Sequence, residues 1–279
     1  MPPRPRSIVR RPPDRVLRHA SELLAPWRAA TSPVFVGLDR VPVDRPLLFV
    51  GNHTIIGVLD IPLLFFELYE RKGIYLRALG DHLHFKIPLW GRFLASFGVV
   101  DGTRENCAQL MAAGESILVF PGGGREVAKR KNEKYRLIWK ERLGFARMAI
   151  EHGCTIVPFA AVGVEESLDI VVDSEEMLAT PLGRVLARFM TRPEVVPPIV
   201  RGLGPTPIPR PERLYFWIAP PVRTEEFARD ATEHACRTVR DRVRHEVQHG
   251  IDALHAMRES DPHRTFGARV ANAIRQKPR

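Results

Sequence analysis

Apolar segments alternate with helix-compatible segments between Leu47 and Gly163, and this alternation restricts the possible folds more than any other feature. The strand-like runs are 47–50, 74–79, 116–120 and 155–162, and the helix-like stretches are 57–71, 85–97, 104–113 and 138–152. Strands that alternate with helices typically form a parallel sheet covered by helices. The sequence therefore predicts an α/β fold: a mixed, largely parallel central sheet flanked by helices, with N- and C-terminal helical appendages.

The segments outside this alternation predict three parts of the chain. Residues 1–31 form a basic N-terminal arm and an amphipathic helix, residues 32–222 form the main domain, and residues 223–279 form a C-terminal helix, starting at Thr224, and a basic tail. A basic amphipathic helix is also predicted over 177–191. Its pattern fits equally a helix on a membrane surface and a core-facing helix with a solvated arginine face.

The charge balance favours an anionic partner, because the formal net charge is +10. No nucleic-acid-binding motif is evident, so we expect an anionic membrane surface rather than nucleic acid, and no protein partner is predicted. The three cysteines have no CxxC spacing, which fits a reducing cytosol. No signal-type segment and no apolar run of roughly 18 to 20 residues occurs. We therefore expect a peripheral protein at the cytoplasmic face of a membrane, with no transmembrane span.

A histidine follows the first buried strand at a strand-to-helix turn. His53 comes directly after Gly51 and Asn52, and Asp60 is the nearest carboxylate downstream. The ordinary pKa of imidazole, about 6.5, lets it act as a base or an acid at neutral pH, and an aspartate can hold its tautomer. A single histidine at a strand end is more often structural, so its assignment depends on the motifs that follow.

A glycine-rich segment follows the strand at 116–120 and leads into a basic run that starts at Lys129. Glycines let a substrate approach the backbone, and their N–H groups can face an anion or an oxyanion. The spacing is neither that of a phosphate-binding GxxxxGK[ST] loop nor GxGxxG. His82 and His84 are too few for a catalytic metal site, so no metal is predicted.

Four blocks occur in a characteristic order along the chain. They are Asn-His-Thr at 52–54 with Asp60 downstream, Gly-x-x-Asp-Gly-Thr-Arg ending at Arg104, FPGGGRE at 120–126, and IVPFAAVG at 156–163. Together they resemble the glycerolipid acyltransferases related to bacterial lysophosphatidate acyltransferase. The similarity is greatest to the diacylglycerol acyltransferase-like branch, which has FPGG and Arg-Glu where the phospholipid branch has FPEGTR. Residues 32–222 are accordingly predicted to be an acyltransferase domain.

The resemblance implies acyl transfer from a thioester, usually acyl-CoA, to a lipid hydroxyl, with acyl-CoA as co-substrate and no cofactor. In this family His53 would be the general base, Asp60 its partner, and Arg104 a residue that holds a polar head group. The residues that would shape the acceptor and oxyanion region are Phe120, Pro121, Gly122, Gly123, Gly124, Arg125 and Glu126, and Pro158 would shape the acyl channel.

Two departures from the family pattern affect these assignments. The family motif has four residues between histidine and aspartate, whereas six separate His53 from Asp60. On one regular helix they would be about 10.5 Å apart, so pairing requires His53 outside the helix and a looped chain through Gly57. Glu126 is the alternative partner. Gly122 stands where the phospholipid branch has glutamate, which favours neutral acceptors such as diacylglycerol or a long-chain alcohol.

Three alternatives to this function remain open at the level of sequence. A lysophosphatidate-type phospholipid acyltransferase is the alternative within the same family. A lipid hydrolase or thioesterase and a non-catalytic membrane-binding protein are the alternatives from other classes. The absence of a GxSxG motif counts against the usual serine hydrolase.

Overall fold

A computed structural model describes residues 11–44, 46–188, 190 and 192–275 of the chain. The strands are β1 Val34–Val36, β2 Leu47–Gly51, β3 Leu76–Gly80, β4 Val100–Asp101, β5 Ser116–Val119, β6 Thr155–Val162, β7 Asp169–Val172, β8 Ile199–Arg201 and β9 Tyr215–Ile218. Seven of them form one sheet in the order β1-β9-β6-β2-β5-β3-β4, while β7 and β8 pair separately. Only the β6–β9 pairing is antiparallel within the seven-stranded sheet, so the predicted mixed, largely parallel sheet is confirmed.

Helices cover both faces of this sheet. The α-helices in the described residues are α1 Asp14–Thr31, α2 Ile61–Lys72, α3 His82–Lys86, α4 Pro88–Ser96, α5 Arg104–Ala112, α6 Gly123–Val127, α7 Gly144–His152, α8 Val164–Ser167, α9 Ser174–Ala179, α10 Pro181–Ala187, α11 Glu233–Ser260 and α12 Phe266–Arg275. Alternate residues of β2 serve opposite faces, as the pleat requires. Leu48 and Val50 join a core with α5, α7 and α11, whereas Leu47 and Phe49 join a core with α2.

Several element ends follow the local sequence. The side chain of Thr103 accepts a hydrogen bond from Asn106 N at 3.1 Å, so it caps α5 as its residue type favours. Gly153 ends α7 with a φ of +63°, a left-handed conformation that glycine adopts without a steric penalty. The bounds of β2 and β6 also match the predicted strands to within one residue.

The predicted helices over 85–97 and 177–191 are wrong as single helices. The first is divided into α3 and α4 before Pro88, and the second region into α9 and α10 before Pro181. Proline has no N–H to donate within a helix and restricts the residue before it, so each proline starts a new helix instead. Phe189, Thr191 and the side chain of Leu186 lie outside the described residues, as do residues 1–10 of the predicted arm and 276–279 of the tail.

Two other helix starts differ from prediction. The C-terminal helix begins at Glu233 with Thr232 as its cap rather than at Thr224, and residues 225–227 form a single 3₁₀ turn. Helix α7 begins at Gly144 instead of 138, because residues 128–143 form an irregular segment that we call the strap. None of the helices in the described ranges is long and apolar enough to cross a membrane.

Candidate active site

The carboxyl end of β2 carries the histidine, and Asn52 fixes its position relative to β6. The Asn52 side chain donates to Ala161 O at 3.0 Å and accepts from Ala161 N at 2.8 Å. The backbone therefore leaves the sheet directly after this clamp, at His53. Parallel strands β5 and β3 end at the same side of the sheet, so the glycine-rich segment and Asp81 also emerge here.

The imidazole of His53 contacts one aromatic ring and one glycine. It stacks on Phe120 with ring centroids 4.0 Å apart and an interplanar angle of 24°. A Cβ atom on Gly57 would lie 2.1 Å from His53 Cε1, so only glycine fits at that position. The φ of Gly57 is +67°, and α2 starts later, at Ile61. His53 therefore lies outside the helix with a looped chain through Gly57, which is the geometry that pairing with Asp60 requires.

The environment of His53 favours the neutral imidazole. Burial lowers its pKa to about 3, and the positive charge of Lys129 adds to this effect. Its Nδ1 atom is buried and has no hydrogen-bond partner among the described residues, although the side chain as a whole is partly exposed. A neutral imidazole keeps a lone pair on one of its two ring nitrogens, and this is the form that a general base requires.

Asp60 is buried and makes its hydrogen bonds through one oxygen. Oδ1 accepts from Thr54 Oγ1 at 3.1 Å and from Ile61 N at 2.9 Å, which caps α2. Burial raises the pKa of Asp60, and these hydrogen bonds oppose that rise. No hydrogen bond joins Asp60 to His53 in the described part of the chain. The role of Asp60 as the partner of His53 therefore remains a prediction, with Oδ2 as the oxygen available for it.

Glu126 supports the backbone of His53 rather than its ring. This carboxylate is completely buried, and it accepts from His53 N at 3.1 Å through Oε2 and from Ile138 N at 2.9 Å through Oε1. A Cβ atom on Gly122 would lie 2.2 Å from Glu126 Oε2, so the glycine leaves the space that the carboxylate fills. Burial raises the pKa of Glu126 to about 7, against the lowering effect of Lys129 and of both backbone N–H groups.

The strap is held to α8, directly after β6, by a buried ion pair. Lys129 and Glu165 are 1 % and 2 % exposed, and the Lys129 ammonium donates to Glu165 Oε1. Glu165 Oε2 also accepts from Tyr135 N at 2.7 Å, and Gly163 N donates to the Tyr135 hydroxyl at 2.9 Å. The basic run that follows the glycine-rich segment thus begins with a buried residue. Sequence patterns miss this pairing because the two partners are 36 positions apart.

The remaining predicted residues have different surroundings. Arg125 is buried and donates to Glu133 at 2.6 and 2.8 Å, so it holds the strap. Arg142, which the motifs did not indicate, donates to Pro121 O at 2.6 Å and supports the glycine-rich segment. Arg104 is exposed at the start of α5, beyond the end of β4. Predicted roles in substrate binding stay predictions for all of these positions.

Pro158, predicted to shape the acyl channel, and His82 and His84, considered as metal ligands, are the remaining residues that the sequence singled out. Pro158 is buried within β6, in register with Val50 of β2. His82 lies 2.9 Å from Asp101 Oδ2, whereas His84 accepts from Trp90 Nε1 at 3.1 Å, so the two histidines have separate partners. The described residues include no cluster of three or more potential metal ligands.

A family model matches the part of the chain that carries the motifs. Residues 33–162, which include all of the four motif blocks except Gly163, match the family model described as Acyltransferase. This part of the chain therefore matches the acyltransferase family, and the family resemblance predicted from the motifs is confirmed.

Two proteins, one from a plant and one from human, are similar in sequence to this chain. Phytyl ester synthase 2, chloroplastic, of Arabidopsis thaliana is 30% identical over 245 residues, which are 81% of this chain and 35% of that protein. The human DGAT1/2-independent enzyme synthesizing storage lipids is 33% identical over 132 residues, which are 47% of this chain and 40% of that protein. The chain thus spans about a third of the length of the plant relative.

A solved structure has the same fold. The 1-acyl-sn-glycerophosphate acyltransferase PlsC from Thermotoga maritima superposes with a TM-score of 0.52 at 18% identity. The match covers 90% of this chain and 86% of that one. At this identity the similarity concerns the fold, which is the α/β acyltransferase fold.

Proposed function

We propose that the protein is an acyl-CoA-dependent O-acyltransferase that transfers a fatty acyl group to the hydroxyl of a neutral lipid, such as diacylglycerol or a long-chain alcohol. The observation that carries the proposal is the neutral, partly exposed His53 at the carboxyl edge of the acyltransferase sheet. The names of the plant and human relatives, a phytyl ester synthase and an enzyme synthesizing storage lipids, support a neutral acceptor.

The proposed reaction begins with proton transfer to His53. Because Nδ1 is buried, Nε2 is the nitrogen that accepts the proton of the acceptor hydroxyl. The hydroxyl oxygen attacks the thioester carbon, and the carbon–sulfur bond then breaks. An ester forms, and the CoA thiolate leaves and recovers the proton from the imidazolium. Asp60, through Oδ2, is the proposed partner of Nδ1 once substrate is bound, since catalytic hydrogen bonds often tighten in the substrate complex.

A phospholipid acceptor is the second candidate. The fold similarity to PlsC supports it, and so does the exposed Arg104 at the same side of the sheet, which would provide a guanidinium for a phosphate. Glu126 supplies a carboxylate next to Gly122, at the place where the phospholipid branch has its own glutamate. A neutral acceptor remains the first choice because this carboxylate is already used by two backbone N–H groups.

The protein is proposed to act at the cytoplasmic face of an anionic membrane. The net charge of +10 supports binding to anionic lipid. All three cysteines are free and buried, which fits a reducing compartment.

Release of free CoA from palmitoyl-CoA tests the function. Wild type, His53→Ala and the control His245→Ala, an exposed histidine of α11, are each given diacylglycerol, monoacylglycerol, a long-chain alcohol or lysophosphatidate. We expect CoA release to require a neutral acceptor and His53 but not His245. Release only with lysophosphatidate would favour the second candidate. Release without any acceptor would indicate a thioesterase, and no release in any mixture would leave a non-catalytic membrane-binding protein.

The variant Asp60→Asn tests the proposed partner of His53. Asparagine keeps Oδ1, which accepts both hydrogen bonds of Asp60, so the cap of α2 and the bond from Thr54 should persist. The amide replaces only Oδ2 and its charge. We expect an unfolding temperature close to wild type and a fall in kcat on the order of 100-fold or more. Full activity in this variant would remove Asp60 from the mechanism.

A further inference from the structure

Helices α3 and α4 form an unusually exposed apolar element. In α3 no residue is buried, and in α4 only Gly91 is buried. Four large apolar side chains between 82 and 97 point to solvent, and Leu89 is 81 % exposed. They are Leu83, Ile87, Leu89 and Phe93. We call residues 82–97 the α3–α4 pair, and its composition is that of a surface that lacks a partner.

The charges of the α3–α4 pair indicate an anionic partner. No aspartate or glutamate occurs between Asp81 and Asp101, whereas Lys86 and Arg92 lie among the apolar residues. Trp90 stacks on Phe93 with ring centroids 5.6 Å apart. Tryptophan, lysine and arginine beside exposed leucine and phenylalanine are the residues of a helix that lies in a lipid interface. Binding to a protein does not require a surface without acidic residues, so their absence favours an anionic lipid surface.

The surface continues onto α1. A groove between the two elements is lined by Arg15, Val16, His19, Ala20, Leu23 and Phe97. Leu23 is 84 % exposed and Val16 is 38 % exposed, so α1 adds apolar side chains to the edge of the α3–α4 pair. Arg15 adds a further positive charge there.

The α3–α4 pair starts beside the candidate active site. Asp81 caps α3 by accepting from Leu83 N at 3.1 Å, and it accepts from Arg192 Nη1 at 2.7 Å. The same carboxylate lies 3.7 Å from the position of a Cβ on Gly124, in the glycine-rich segment. The start of this surface is therefore close to the glycine-rich segment of the candidate site.

We propose that the α3–α4 pair, together with the exposed edge of α1, embeds in the interfacial layer of an anionic bilayer. The inference rests on the proposed function, because it gives a lipid acceptor a path from the membrane to His53 without passage through water. Lys86 and Arg92 bind anionic head groups, and the apolar side chains of the pair enter the acyl boundary. The partner is a lipid surface of negative charge.

Vesicle binding of the full chain tests the surface. The variant Leu89→Glu/Phe93→Glu places two charges where the apolar side chains would enter lipid. The control Val43→Glu changes a residue that is 64 % exposed near the start of β2, at the opposite end of the sheet. Vesicles of phosphatidylcholine alone are compared with equal mixtures of phosphatidylcholine and phosphatidylglycerol. We expect the double variant to lose at least about tenfold in partitioning to the mixed vesicles, and Val43→Glu to match wild type.

Charge and folding are examined separately. Lys86→Gln/Arg92→Gln should lose the preference for the anionic vesicles by about tenfold, since each basic residue contributes to that attraction. The single variant Leu89→Glu, with a circular dichroism spectrum equal to wild type, keeps the test valid if the double variant unfolds. Vesicle binding that is equal in wild type and in folded Leu89→Glu and Leu89→Glu/Phe93→Glu would overturn the inference.

Two further readouts separate this inference from the proposed function. Each variant is assayed with an acyl-CoA and acceptor that are monomeric in water, and then with acceptor in vesicles. Loss of activity in vesicles alone supports the inference. Wild type that binds vesicles but transfers no acyl group would contradict the function and leave the surface in place. A wild-type dimer that Leu89→Glu converts to a monomer, with vesicle binding unchanged, would identify a self-association surface and overturn the lipid inference.

Discussion

Gly57 and His53 are so close that the glycine determines where the imidazole can lie. A Cβ on Gly57 would be 2.1 Å from His53 Cε1, whereas a Cβ on Gly73 would have nothing within 4 Å, and both glycines have nearly the same φ, +67° and +66°. Each change to alanine should cost about 1 kcal/mol in backbone strain. Only Gly57→Ala should also displace the imidazole, with a loss of kcat on the order of 100-fold.

The comparison of the two glycine variants uses CoA release and thermal unfolding. Gly73→Ala should unfold at a lower temperature than wild type yet keep its turnover at a temperature where it is folded. Equal activity in Gly57→Ala and Gly73→Ala would mean that His53 needs no fixed position, which would contradict its assignment as the base.

Glu126 has one carboxylate oxygen for each of two backbone N–H groups, so Glu126→Gln must fail to satisfy one of them. The amide nitrogen of glutamine would face either His53 N or Ile138 N. Leaving one buried N–H without an acceptor should cost about 1–3 kcal/mol in the free energy of unfolding. We expect a loss of kcat as well, because His53 is displaced. Glu105→Gln, an exposed glutamate of α5, is the control in urea unfolding and activity assays.

Only those features of the site that depend on residues close together in the sequence could be predicted. His53, and the loop through Gly57 that places it outside α2, follow from the motif and from the length of a helix between two residues. The contact of Glu126 with Ile138 N does not follow, because it depends on the path of the strap. The burial of Lys129 was likewise hidden, because its partner Glu165 comes from the segment after β6.

At the level of elements, the predictions succeeded where a single residue determines the end. Thr103 and Gly153 are such residues, since a hydroxyl cap and a left-handed glycine act within one turn. The predictions failed where apolar periodicity continued across Pro88 and Pro181. Periodicity reports which side of a helix is apolar, but it does not report that a proline starts a new helix.

The contact of α11 with the sheet requires a glycine inside a helix. A Cβ on Gly250 would lie 2.7 Å from Trp217 Cδ1 and 3.0 Å from Ala160 Cβ. A glycine-to-alanine change in a helix normally stabilises by up to about 1 kcal/mol, but here we expect destabilisation by about 1–3 kcal/mol from overpacking. Gly267→Ala in α12, where a Cβ would have nothing within 4 Å, should be neutral or stabilising. Urea unfolding measures the free energy of unfolding of both variants. A Gly250→Ala variant more stable than wild type would show that α11 can shift without cost.

Across the whole molecule, buried charges connect the site to the strap and to the end of β6. Lys129 lowers the pKa of His53, of Asp60 and of Glu126, while it is itself paired with Glu165. One buried ammonium thus favours the neutral base and the ionised carboxylate together. Both forms are needed if His53 accepts a proton while Glu126 accepts hydrogen bonds from two backbone N–H groups.

The pH dependence of kcat/KM should therefore report Glu126 rather than His53. As the pH falls through about 7, Glu126 takes up a proton and can no longer accept from both N–H groups, so activity should fall there, well above the pKa of about 3 for His53. Glu126→Gln should lower the plateau and abolish this acidic limb. Lys129→Met/Glu165→Gln removes the ammonium, which lowers the pKa of Glu126, together with the Glu165 charge, which raises it less. The limb should therefore move to higher pH. A limb that stays at the same pH in Glu126→Gln would assign the titration to another group.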